Sequence, residues 1–162
     1  MASVKYKPED TRLIALLGQT TVALYVRKDF PAQTVEQLIA HARKNARNPL
    51  SYGSAGAGSL LHLVAERFRA QTGIELLHVP DKGTTPLVQD LIGGQIEMVF
   101  LPFGGSMLGM VDSGKVRLLG LAATGRDPRY PHIPMLGESG LLTDFVYDSW
   151  LGLQVPRKTP QA

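Results

Sequence analysis

The sequence predicts an α/β domain built on a mostly parallel sheet flanked by helices. Three observations carry that prediction. Short apolar runs alternate with segments of helical periodicity. The connections between them are tight and glycine-rich. The 162 residues, 44% hydrophobic and 19% charged, are enough for one hydrophobic core and unlike a disordered or coiled-coil chain.

Taken in order, residues 13–17 and 22–26 read as two strands around the polar Gly18-Gln19-Thr20-Thr21. Thr34-Val35-Glu36-Gln37 is a capping box: the Thr34 hydroxyl accepts from the Gln37 amide while the Gln37 side chain reaches back. Val35, Leu38, Ile39, Ala42 and Ala46 then follow helical spacing as far as Pro49. Residues 50–53 form a short strand. A second helix runs over residues 59–72, with Leu60, Leu61, Val64, Ala65 and Phe68 on one face and Gly73 closing it. Residues 74–79 are the next strand.

Thr84 or Thr85 caps a third helix that tolerates Pro86 in its first turn. Leu87, Val88, Leu91 and Ile92 are its buried stripe, and Gly93-Gly94 ends it. Residues 96–101 make a strand, residues 106–112 a short helix, and residues 116–122 a further strand. The proline- and glycine-rich remainder is looser, with residues 149–153 as a last strand. No linker divides the chain, so residues 1–162 read as one α/β domain.

Composition excludes several function classes. Seventeen basic against fourteen acidic residues give a formal charge of +3 without any block of like charge. Nucleic-acid binding needs such clustering, so no nucleic-acid partner is expected. The absence of cysteine removes disulfides, thiolate metal sites and a cysteine nucleophile. No window reaches the ~18 apolar residues of a membrane span. No pair of the four histidines has metal-ligand spacing, so neither a metal nor a cofactor is expected.

The segment with most chemistry is Tyr52-Gly53-Ser54-Ala55-Gly56-Ala57-Gly58-Ser59. It leaves a strand, turns on glycines and enters a helix, where free amides and the helix dipole favour an anion. Small side chains let that anion approach the backbone. A phosphate loop fails because Ser59-Leu60 stands where Lys-Ser/Thr is needed, and a dinucleotide fingerprint fails at Leu61. A nucleophile elbow around Ser54 fails at Tyr52. A carboxylate held by amides and hydroxyls fits best. Lys82, in the strand-to-helix turn over residues 79–85, falls at the same carboxyl edge of a parallel sheet. His62 reads as a packed histidine orienting the glycine loop, His78 as a structural hydrogen-bonding group, and His41 as part of a solvated face.

The stretch from Tyr52 to Leu63 resembles the YGSxGxGSxxHL segment of the Bug, or TctC-like, proteins, the extracytoplasmic solute receptors of tripartite tricarboxylate transporters. His78-Val79-Pro80 with Lys82-Gly83, Asp90-Leu91-Ile92-Gly93-Gly94-Gln95, Ser113-Gly114-Lys115-Val116-Arg117, Glu138-Ser139-Gly140 and Ser149-Trp150-Leu151-Gly152-Leu153 match in the family's order.

The resemblance implies a type II periplasmic-binding-protein-like fold of which this chain is the second domain. It implies a small carboxylate or amino-acid ligand, membrane transporter subunits as partners, a first domain outside these residues, and a periplasmic location. The first ten residues hold no apolar run of a signal peptide.

Carried over by position, Ser54, Ala55, Gly56, Ala57, Gly58 and Ser59 would donate amides and hydroxyls to the ligand carboxylate. Lys82, Gly83 and Thr84 would wall the cleft, and Phe100 would end the next strand beside it. Three positions depart from the family: Asp81 stands where an aromatic residue is common, Leu101 where an aspartate is common, and Met135 where threonine is usual. No catalytic residue is expected. The competing readings are an effector-binding domain of a regulator and a hydrolase using Ser54 or Ser59 with His62.

Overall fold

The computed structural model describes residues 7–160. Six strands and four helices alternate along the chain: β1 (Thr11–Arg27), α1 (Val35–Lys44), β2 (Leu50–Ser54), α2 (Leu60–Thr72), β3 (Leu76–Pro80), α3 (Thr84–Ile92), β4 (Met98–Pro102), α4 (Ser106–Asp112), β5 (Val116–Leu121) and β6 (Asp148–Pro156). The sheet order is β3-β2-β4-β1-β5, with β6 added to β1. Strand β2 pairs parallel with both β3 and β4, whereas β1 pairs antiparallel with β4, β5 and β6. Five strands therefore run one way and β1 alone runs against them.

Local chemistry explains the helix ends. The Thr34 hydroxyl accepts from the Gln37 amide at 3.3 Å, and the Gln37 side chain reaches back to the Gln33 amide at 2.8 Å, one residue before the position a capping box requires. Helix α2 is capped by Ser59, whose hydroxyl accepts from the His62 amide, and closed by Gly73 in the left-handed conformation. The cap of α3 is neither Thr84 nor Thr85. It is Gly83, at φ +137°, without a side-chain hydrogen bond, because the chain must turn sharply out of β3 there.

The period-2 alternation of the central strands divides the core between two faces. Val22, Leu24 and Val26 of β1 and Met98 and Phe100 of β4 pack against α1 and α2. Ala23 and Tyr25 of β1 and Val99 and Leu101 of β4 pack against Leu87 and Leu91 of α3 and Met107 of α4. Phe68, Phe100 and Phe145 form an aromatic cluster with centroids 5.6 to 6.0 Å apart on the first face. Gly53 lets α3 close on the second: a Cβ there would lie 2.2 Å from Leu87 Cδ1 and 2.6 Å from Ile96 Cδ1.

The expected break at Gly18-Gln19-Thr20-Thr21 does not occur, and β1 is one strand of 17 residues. Its second half is buried at the centre of the sheet. Its first half leaves the sheet as a ribbon with β6, from Thr11 opposite Pro156 to Thr21 opposite Asp148. A polar stretch is acceptable in a strand that no helix covers. The ribbon also exposes Leu13, Ile14, Leu16, Leu17, Trp150, Leu151 and Leu153, each at least half accessible.

Candidate functional site

Strands β2, β3 and β4 end side by side, so the turns that follow them share one edge. The first turn, residues 54–59, needs left-handed backbone at Gly56 (φ +121°) and Gly58 (φ +82°). Its polar groups divide into two sets. Ser54 is fully buried; its hydroxyl lies 2.7 Å from Nε2 of His78 and within bonding distance of the carbonyl and amide of Gly56. The Gly58 amide donates to Nδ1 of His62 at 2.9 Å, and the Ser59 amide to the Gly56 carbonyl. Those groups hold the loop in shape. The amides of Ala55 and Ala57 make no hydrogen bond among the described residues, and with those of Leu60 and Leu61 in the first turn of α2 they are the donors left over.

Behind the loop stands a stack of rings. His62 and His78 lie 4.3 Å apart at 20°, and Tyr52 stacks on His78 at 4.9 Å. The Tyr52 hydroxyl donates to Glu66 at 2.7 Å, and Glu66 also pairs with Arg69 at 2.8 Å. That tyrosine hydrogen bond, with help from Arg69 and His62, holds the Glu66 carboxyl below its ordinary range, while burial and then Glu66 push the Tyr52 hydroxyl up. Burial, and next the neighbouring His62, lower His78, so it favours the neutral form. Both histidines therefore serve the loop as expected. His41, by contrast, is half-buried rather than solvated, because its ring meets Phe30 edge-on at 5.2 Å.

In the second turn Lys82 is exposed, and no ion pair to it is seen among the described residues. Asp81 accepts the Lys82 amide at 2.6 Å instead of meeting the ammonium. Thr84 is exposed at the start of α3. Phe100 is fully buried in the aromatic cluster on the α1–α2 face, which turns its ring away from the α3–α4 side. The strand continues past it to Pro102.

The third turn, Phe103-Gly104-Gly105-Ser106, was not singled out from the sequence. It repeats the pattern of the first, with Gly104 at φ +121° and Gly105 at φ +55° before a helix. Strand β1 fastens it: the Thr20 hydroxyl donates to the Phe103 carbonyl at 2.6 Å, and the Phe103 amide donates to the Thr21 carbonyl at 2.7 Å. Here a cavity of about 400 Å³ opens between β4, α3 and α4. A polar depression of about 320 Å³ follows β5, but its cations are engaged: Arg126 with Glu138 at 2.8 Å and Arg129 with Asp127 at 2.8 Å.

Over residues 1–162 the sequence matches the tripartite tricarboxylate transporter family receptor. The chain belongs to that family. Among solved structures, the receptor chain is similar to R. palustris Rpa4515 with adipate (29% identity, TM-score 0.91, 98% of this chain and 52% of that one). It is similar to the periplasmic binding protein BugD (30%, 0.87, 96% and 52%). It is also similar to MatC from Rhodopseudomonas palustris with bound malate (29%, 0.86, 96% and 52%). These neighbours make the fold that of the Bug and TctC-type periplasmic binding proteins. The chain spans about half the length of the curated relatives and solved structures it matches.

Proposed function

We propose that this chain is one jaw of an extracytoplasmic solute receptor that binds a small organic carboxylate. It is not an enzyme, and it acts in the periplasm beside membrane transporter subunits. The observation that carries the reading is the leftover donor set at residues 54–61. The loop satisfies its own hydroxyls and the amides of Gly56, Gly58 and Ser59 internally and leaves the Ala55, Ala57, Leu60 and Leu61 amides for a carboxylate. Lys82 adds a cation on the adjacent turn. The adipate and malate of the similar structures belong to the same ligand class.

The other jaw is a first domain like the half of the relatives that this chain does not span. The ribbon's bare apolar side chains support this reading, since an uncovered surface of that kind is usually covered by a partner. Closure of two such domains on a ligand is the working motion. The hydrolase reading is disfavoured because the Ser54 hydroxyl is fully buried and the Ser59 hydroxyl is spent on the cap of α2.

Amide spectra of the 162-residue chain titrated in parallel with millimolar hexanoate and millimolar adipate test the reading. Shifts at Ala55, Ala57, Leu60 and Leu61 with at least one of the two carboxylates are the expected result, and a loop unperturbed by both would overturn it.

A further inference from the structure

The cavity after β4 differs in character from the glycine loop beside it. Its floor is Leu101, fully buried, with Val88, Phe103 and Met107 around it. Its polar groups are the hydroxyls of Thr20, Thr84 and Ser106 and the backbone of Gly104-Gly105; none of its lining residues is ionisable. The volume of about 400 Å³ falls in the range of small-molecule sites. Strands β2 and β4 are direct neighbours, with Tyr52 opposite Met98 and Gly53 opposite Val99. The glycine loop therefore leaves a strand that lies one strand spacing, ~4.8 Å, from the strand that leads into this cavity.

We propose that this cavity takes the body of the ligand and makes the site selective for monocarboxylates with an apolar aliphatic or aromatic body. This rests on the carboxylate reading of the glycine loop and narrows it. The carboxylate meets the free amides and Lys82, while the remainder lies against Val88, Leu101, Phe103 and Met107. A second carboxylate would enter a pocket that offers no cation. An ammonium would find no acid there, because the floor is Leu101 and the lining holds no carboxylate. Charges desolvated without partners are costly, so dicarboxylates and amino acids are disfavoured by the same wall.

The test compares hexanoate, benzoate, adipate and glutamate on the 162-residue chain, reading backbone amides together with the methyl signals of Val88, Leu101 and Met107. Hexanoate and adipate differ only by the second carboxylate. Hexanoate and benzoate are expected to shift the loop amides and the cavity methyls and to bind at least tenfold more tightly than adipate or glutamate. Along the series from acetate to hexanoate, affinity should rise roughly fourfold for each methylene that becomes buried.

Adipate binding as tightly as hexanoate would overturn the proposal. So would loop shifts without methyl shifts, which leave the carboxylate reading standing; silence at both places removes both. Leu101→Asp should abolish the preference for hexanoate. Because an aspartate there burdens the core, Val88→Thr, close in shape and half-buried, is the second variant and should reduce hexanoate binding severalfold. Hexanoate binding unchanged in Val88→Thr would also overturn the proposal.

Discussion

Gly58 donates its amide to Nδ1 of His62 across a single helical turn, at 2.9 Å, so the glycine loop is stapled to the helix that follows it. The staple requires Nδ1 to be a bare acceptor, which a neutral imidazole protonated on Nε2 provides. A proton on Nδ1 would set two donors against each other. His62 also lies 4.3 Å from His78, and Tyr52, Glu66 and Ser54 are the other polar groups facing the pair.

Acid should destabilise the fold through His78. The folded-state value of His78 lies below that of the unfolded chain, about 6.5. In the window between the two values the unfolded chain binds more protons, so stability rises with pH there. The His78 contribution is whole above about pH 6.5 and is lost as pH falls through the lower folded value. Melting temperature should drop on going from pH 8 to pH 5. A melting temperature that stays fixed across that range would contradict the His78 contribution.

Ser54→Ala should cost about 1–3 kcal/mol in urea unfolding, because it leaves Nε2 of His78 and the Gly56 amide without their partner in a buried place. Ser54→Thr adds a methyl group where no space is exposed and should not rescue the loss. A Ser54→Ala protein as stable as the parent would show that the hydroxyl contributes nothing to the fold.

Gly53→Ala tests the packing of α3 on β2. Its Cβ meets the ends of two flexible side chains, Leu87 and Ile96, rather than backbone, so the core can give way in part. A loss of about 1–3 kcal/mol in the same unfolding measurement is expected. Gly53→Ala with Leu87→Val should recover part of it, and a double variant no better than the single would place the strain elsewhere.

Those sites also show what could be read from residue order. The Thr34–Gln37 pair at the start of α1 is written within four residues and Gly73 at the end of α2 is a local signal, and both were legible. The direction of the sheet followed from the alternation of elements. Other features depend on partners distant in the chain. Strand β1 looked interrupted because the strand that pairs its polar middle, β6, lies more than a hundred residues away. Ser54 and His78 are 24 positions apart, and only the parallel register of β2 and β3 brings them together. The pleat sends Phe100 into the aromatic cluster and Leu101 to the opposite face, an alternation whose orientation depends on strands far away in the chain. Gly104-Gly105-Ser106 after β4 carried the same glycine-then-serine sign as Gly58-Ser59 after β2, and the cavity it borders becomes visible only in the fold.

The ribbon yields the last prediction. A hinge-closing receptor needs both jaws to surround its ligand, and one jaw supplies only part of the contacts. The 162-residue chain alone is therefore expected to bind carboxylates weakly, in the millimolar range, by calorimetry or amide shifts. Its uncovered Leu13, Ile14, Leu16, Leu17, Trp150 and Leu151 should also make it associate. Replacing all of these side chains together would disturb the strand, so the discriminating variant is Leu17→Lys with Leu151→Lys, two of the most exposed positions, at 61% and 66%. That variant should remain folded and run at monomer size in sedimentation, with loop binding unchanged. Micromolar carboxylate binding by the 162-residue chain would instead show that one jaw suffices, and the two-domain reading would fall.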